Sequence, residues 1–145
     1  MVIETIRKED IPEIIALGLA TPELHIESDE AAYYSADMLE SFITSPNDIF
    51  LAAKIDNKLA GYFLGTYNPF LKEAYLIDLV VKPEFRNMKV ASVLLSTCFT
   101  MLREKGCLWA WCLVHEDNEA MMQILQKKGF AKGRKFNFFY KVNPF

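Results

Sequence analysis

The run Leu79–Ala91, LVVKPEFRNMKVA, constrains this chain more than any other segment. An apolar strand stops at Pro83, which cannot donate to a sheet ladder. A loop led by Arg86 then feeds directly into a long amphipathic stretch. A helix entered this way presents unpaired backbone N–H groups and a partial positive charge, which suits a pyrophosphate. The turn carries no glycine, although close approach of backbone to a ligand usually relies on one.

Patterning around this run predicts a mixed α/β order. Val2–Arg7 alternates as a strand, and Asp10 and Pro12 open a helix carrying Ile14, Ile15, Leu17 and Gly18. Ala31–Ile43 reads as a second helix that ends before Pro46. Ile49–Ile55 and Leu59–Tyr67 form a hairpin about Asp56-Asn57-Lys58. Glu73–Lys82 is a further strand, with Ala74, Leu76, Asp78 and Val80 expected on one face and Tyr75, Ile77, Leu79 and Val81 on the other. Lys89–Lys105 places Val90, Leu94, Cys98, Met101 and Leu102 on one helical stripe, stopped by Gly106. Cys107–Val114 is apolar on both faces and reads as a fully buried strand. Asp117 or Asn118 caps a helix that runs to Lys128, and strand material follows at Phe130 and Phe136–Val142. The predicted order is βααβββαβαββ, a mixed sheet with helices on both sides, in a single domain spanning 1–145.

Composition narrows the function classes. With a net charge of −3, Lys and Arg are too few and too scattered for a nucleic-acid footprint. No window approaches the roughly 20 apolar residues of a membrane span, and the N-terminus MVIETIRKED lacks the apolar core of a secretory signal, so a cytoplasmic protein is expected. Cys98, Cys107 and Cys112 are odd in number and lack CxxC spacing, which predicts buried reduced thiols and no metal site.

The element order, the VKPEFR turn and the later segment Asn118–Phe130 together resemble the GCN5-related N-acetyltransferase (GNAT) superfamily over nearly the whole chain. The resemblance implies acetyl-CoA as cosubstrate, with Arg86, Asn87, Met88, Lys89, Val90 and Ala91 holding its pyrophosphate. It also implies that the backbone of Leu79, Val80 and Val81 pairs with the pantetheine arm, and that Asn118 contacts the same region. The family's first loop glycine is Lys89 here, and the tyrosine that often protonates the departing thiolate is Leu125.

An amine acceptor with a lysine-like pKa of ~10.4 is charged at pH 7, and removing its proton costs roughly 4–5 kcal/mol. A base therefore matters more than an acid whose thiol titrates near ~8.5. Asp78, just before LVV, is the first candidate, since related diamine acetyltransferases often carry acids at or beside this position; its neighbour here is Ile77. His115 in the loop HEDN is the second. Where some relatives place a glutamate, this chain has Leu113. Tyr140 is a candidate replacement acid. By the same resemblance Tyr33, Tyr34, His25 and the run FNFFY point to the acceptor site. Phe136–Tyr140 also reads as core or as the interface of a homodimer. The expectation is direct acetyl transfer from acetyl-CoA to a primary amine in a ternary complex. The alternative is a degenerate GNAT-fold module that binds CoA or a protein partner. A Rossmann-type domain is excluded, because no GxGxxG follows the first strand.

Overall fold

The computed structural model describes residues 1–24, 33–134 and 137. Strand β1 (Val2–Thr5) leads through a 3-10 turn, Lys8–Asp10, into helix α1 (Ile11–Leu19), and a second turn, Pro22–Leu24, follows. Helix α2 (Ala36–Thr44) precedes the strands β2 (Asp48–Ile55), β3 (Lys58–Asn68) and β4 (Glu73–Val81). Helix α3 (Val90–Glu104), strand β5 (Trp109–Trp111) and helix α4 (Glu119–Lys127) complete the described elements.

The five strands lie side by side in chain order. β1 to β4 pair antiparallel, and β4 pairs parallel with β5. One face packs Ile49, Leu51, Phe63, Ala74 and Leu76 against Val90, Leu94, Cys98 and Leu102 of α3 and Leu125 of α4. The other packs Phe50, Tyr62, Leu64 and Val80 against Ile11 and Ile14 of α1 and Leu39 of α2. Helices thus cover both sides of a mixed sheet, as the patterning predicts. At Gly61 the strands come so close that a Cβ would sit 2.4 Å from the Val80 carbonyl oxygen, so no larger residue fits opposite that part of β4.

Five expectations are corrected. Within the described residues α2 begins at Ala36, because Ser35 accepts a hydrogen bond from the Met38 N–H as N-cap. α3 begins at Val90, because Lys89 sits outside the helix as N-cap with a left-handed φ of 62°. β5 is three residues long, not a buried strand over Cys107–Val114, and Leu108, Trp109, Trp111 and Leu113 are all exposed. The faces of β4 also differ. Leu64 pairs with Asp78 but Gly65 pairs with Leu76, so β4 carries one extra residue, a β-bulge at Ile77. Ala74 and Leu76 therefore face α3, while Ile77 and Val80 face α1 and α2. Phe130 is not in a strand. The expected strand Phe136–Val142 lies outside the described residues, apart from Asn137, which is in no strand.

Candidate active site

The bulge brings Asp78 to the face covered by α1 and α2. There it is buried, 7% exposed, and its Oδ2 accepts a hydrogen bond of 2.8 Å from the Tyr33 hydroxyl. The Tyr33 oxygen in turn accepts one of 2.8 Å from the hydroxyl of Tyr62, a β3 residue. Five aromatic rings hold this chain in place through edge-to-face contacts that close into a loop: Tyr33, Tyr34, Phe42, Phe50 and Tyr62.

Burial strips water from the Asp78 carboxylate and pushes its pKa up from the ordinary 3.8 to about 6, although the Tyr33 hydrogen bond pulls the other way. Burial, and next the charge of Asp78, push the Tyr33 and Tyr62 hydroxyls far up, so both remain protonated donors. Asp78 is therefore a carboxylate that titrates just below neutrality, a range suited to general-base work.

The neighbouring strand opens a gap beside it. β4 and β5 pair only at Glu73–Trp109, Ala74–Ala110 and Tyr75–Trp111. From Leu76 to Val81 the outer edge of β4 has no strand partner among the described residues. Such an edge offers backbone donors and acceptors to an extended ligand, as an added strand would take them. Leu79, Val80 and Val81 lie on this edge.

At the far end of β4 the loop turns into α3. Arg86, Asn87, Met88 and Lys89 are exposed, and Val90 is buried in the core, so Val90 can offer a ligand only its backbone. The Arg86 N–H is already spent on the Pro83 carbonyl, which leaves its side chain as the group free to meet an anion. The first N–H groups of α3, at Val90, Ala91 and Ser92, precede the first internal bond, from Val93 to Lys89 O, and point out of the helix end. Asn87 and Lys89 both take left-handed φ, 64° and 62°. This explains in physical terms why the sequence pattern calls for glycine at Lys89: the position needs a conformation that glycine adopts without strain.

The remaining candidates lie elsewhere. His115 lines a cavity of about 520 Å³ with Glu23, Asp117, Asn118 and Glu119, and Asp78 is not part of its wall. Asn118 caps α4, its Oδ1 accepting from the Met121 N–H at 3.1 Å. Leu125 is buried in the α3-side core, so no proton donor stands at that position. Tyr140 and His25 lie outside the described residues. Cys98 is buried and its thiol is pushed up to about 12 by burial. Cys107 and Cys112 are only half-buried, contrary to expectation, and both are raised by burial as well, so none of the three is an activated nucleophile. The sequence singles out Tyr33 only as a candidate, and its bond to Asp78 is not legible there, since 45 positions separate the two.

Comparison with known proteins decides the family. The pattern of the Acetyltransferase (GNAT) family matches residues 15–130. The chain belongs to this family. An acetyltransferase of Photorhabdus laumondii subsp. laumondii is 29% identical over 131 residues, covering 88% of this chain and 84% of the relative. Among solved structures, the ribosomal-protein-S18-alanine N-acetyltransferase of Escherichia coli shares the fold at a TM-score of 0.73 and 19% identity, covering 92% of this chain and 79% of that one. The structure of AAC(6')-Iy in complex with the bisubstrate analogue CoA-S-monomethyl-acetylneamine shares it at 0.76 and 17%, covering 98% of each.

As a GNAT acetyltransferase that depends on acetyl-CoA, the chain has, among the described residues, features that fit this cosubstrate: an open β4 edge, outward-pointing amides at the start of α3, and an exposed Arg86 side chain between them. No helix among the described residues is long and apolar enough to cross a membrane.

Proposed function

We propose that this acetyltransferase moves the acetyl group of acetyl-CoA to a primary amine by direct attack in a ternary complex, with Asp78 as the base. The observation that carries this reading is the buried Asp78 carboxylate, set by the Ile77 bulge on the face opposite α3, where the β4 edge opens.

Acetyl-CoA supplies the acetyl group as an activated thioester. Leu79, Val80 and Val81 offer backbone to its pantetheine arm. The amides of Val90 and Ala91, with Arg86, Asn87, Met88 and Lys89, offer the pyrophosphate a positive helix end and two cationic side chains. Asn118, at the start of α4, keeps its amide nitrogen for the same arm. Asp78 takes the amine proton, a step that general bases of this kind speed by roughly 10²–10⁴-fold. The carboxylate also favours an amine that arrives as a cation. His115, beside Glu23, Asp117 and Glu119, is the second candidate to receive a proton, and Tyr140 a candidate donor to the leaving thiolate. The acceptor is an unidentified small molecule or protein amine, and the enzyme is a cytoplasmic single domain, alone or as a homodimer.

Activity of purified protein across a panel of amines, followed by thiol release from acetyl-CoA, tests the reading. The expected kcat/KM rises with pH through an apparent pKa near 6, and Asp78→Asn removes that limb while acetyl-CoA still raises the melting temperature. An unchanged limb in Asp78→Asn would remove Asp78 as the base.

A further inference from the structure

A tyrosine hydroxyl has one proton to give, and an ionised carboxylate can only accept. The Tyr33 proton must therefore point at Asp78, which leaves the Tyr33 oxygen to accept from Tyr62, and both bonds are 2.8 Å long. Tyr62 is fully buried, so the chain of hydroxyls ends inside the protein and cannot conduct a proton to water. What such a chain does is polarise: each bond strengthens the next, and the sum is delivered to Asp78.

The third member is Gly18, in the last turn of α1. A Cβ there would lie 2.6 Å from two carbons of the Tyr33 ring and 2.7 Å from a third. The ring rests flat against the helix backbone, and no side chain larger than hydrogen leaves it room.

We propose that Tyr33, aimed by Tyr62 and admitted by Gly18, is a positioning residue that holds the Asp78 carboxylate ionised and fixed in one orientation. The proposal rests on the reading of Asp78 as the base for its catalytic meaning, but not for the hydrogen-bond chain itself. Among the described residues, titratable groups that feel the Asp78 charge include Tyr33 from the α1–α2 connection, Tyr62 from β3 and Tyr75 from its own strand. All three are neutral, and among the described residues no cation pairs with Asp78. Among the described residues, the Tyr33 hydroxyl is the side-chain donor that meets its charge.

The test compares Tyr33→Phe and Tyr62→Phe, each of which removes one hydroxyl and keeps the ring, with Gly18→Ala, which displaces the ring. In each folded variant the Asp78 carboxyl is titrated by carbon-13 NMR, and kcat/KM is followed against pH. Tyr33→Phe is expected to move the Asp78 midpoint upward by ~1 pH unit, Tyr62→Phe by less in the same direction, and Gly18→Ala upward as well. Acetyl-CoA affinity should stay unchanged, which a general loss of structure would not allow. If Tyr33→Phe does not fold, Tyr62→Phe carries the test, since it leaves the Tyr33–Asp78 contact in place. An NMR shift matched by the activity limb supports the proposal together with the base assignment. An NMR shift without an activity limb supports the positioning role and sinks the base assignment. An Asp78 midpoint that stays put in the folded Phe variants overturns the proposal.

Discussion

Tyr75 and Trp111 stack with ring centroids 4.3 Å apart and planes 20° from parallel, on the last residue pair that β4 and β5 share. Below this stack the strands are joined, and above it they part. The stack therefore marks the apex of the gap that we assign to the pantetheine arm. Replacing Trp111 by Ala should cost about 1–2 kcal/mol of stability, since the ring is partly exposed and the pair itself contributes ~1 kcal/mol. It should also weaken acetyl-CoA binding, because the apex loses its clamp. Urea unfolding and calorimetric titration check both. An unchanged affinity would place the cosubstrate away from this apex.

Asp78 ties function to stability. Its folded-state pKa, about 6, lies above the ordinary 3.8, so ionisation costs the native state free energy. That cost is absent below pH 4, grows as pH rises, and is complete above pH 6. Roughly two pH units at about 1.4 kcal/mol each make it about 3 kcal/mol. Asp78→Asn, which has no charge to bury, should gain stability relative to the parent by up to that amount between pH 4 and pH 7. Urea midpoints at the two pH values measure this, and an equal difference at both would show that Asp78 is not strained by burial.

Lys89 separates strain from charge. Its φ of 62° is one that side chains other than glycine adopt at a cost of about 1–2 kcal/mol. Lys89→Gly relieves that cost but loosens the unfolded chain, so a net gain of roughly 0.5–1 kcal/mol is expected. Lys89→Ala keeps the strain and removes only the charge. If the lysine meets the pyrophosphate, both variants should bind acetyl-CoA more weakly and with a flatter salt dependence. Equal affinity in all three proteins would leave the contact to backbone amides and Arg86.

Lys54 holds two acids at the β1 edge, with Nζ 2.8 Å from Asp10 Oδ1 and 2.7 Å from Glu4 Oε1. Asp10 is buried and also accepts the Arg7 N–H at 2.9 Å. The hydrogen bond to Asp10, then that to Glu4, raise the Lys54 pKa, so its contribution is full below the ordinary lysine value of 10.5 and fades as pH climbs through the raised one. Lys54→Met should cost about 1–3 kcal/mol between pH 6 and pH 9, through the buried charge left on Asp10. Thermal unfolding across that window measures it, with acetyl-CoA binding unaffected.

The sequence announces the parts of this fold that repeat. The stripe Val90, Leu94, Cys98, Leu102 and the hairpin about Asp56-Asn57 each carry their own period, and both stand where patterning places them. The bulge at Ile77 does not announce itself, because β4 is covered on both faces and the run AYLIDLVV is apolar at odd and even positions alike. The same ambiguity makes CLWAWCLV read as a buried strand, when only three of its residues pair. Leu79–Val81 and the turn at Arg86–Lys89 are legible as local pattern. The Gly18–Tyr33–Asp78 arrangement is a matter of tertiary neighbours and leaves no trace in spacing.

The single extra residue in β4 sets the reading frame of the strand. With strict alternation Asp78 would share a side with Ala74 and Leu76 and be driven in among Leu94, Cys98 and Phe63, where nothing could solvate or pair it. The bulge lets Ile77 and Asp78 share one step of the ladder, which shifts the frame by one, so the same acid emerges toward Tyr33 instead. Were Ile77 held in the regular ladder and not bulged out, the same sequence would carry its carboxylate as a defect in the core and not as a working group.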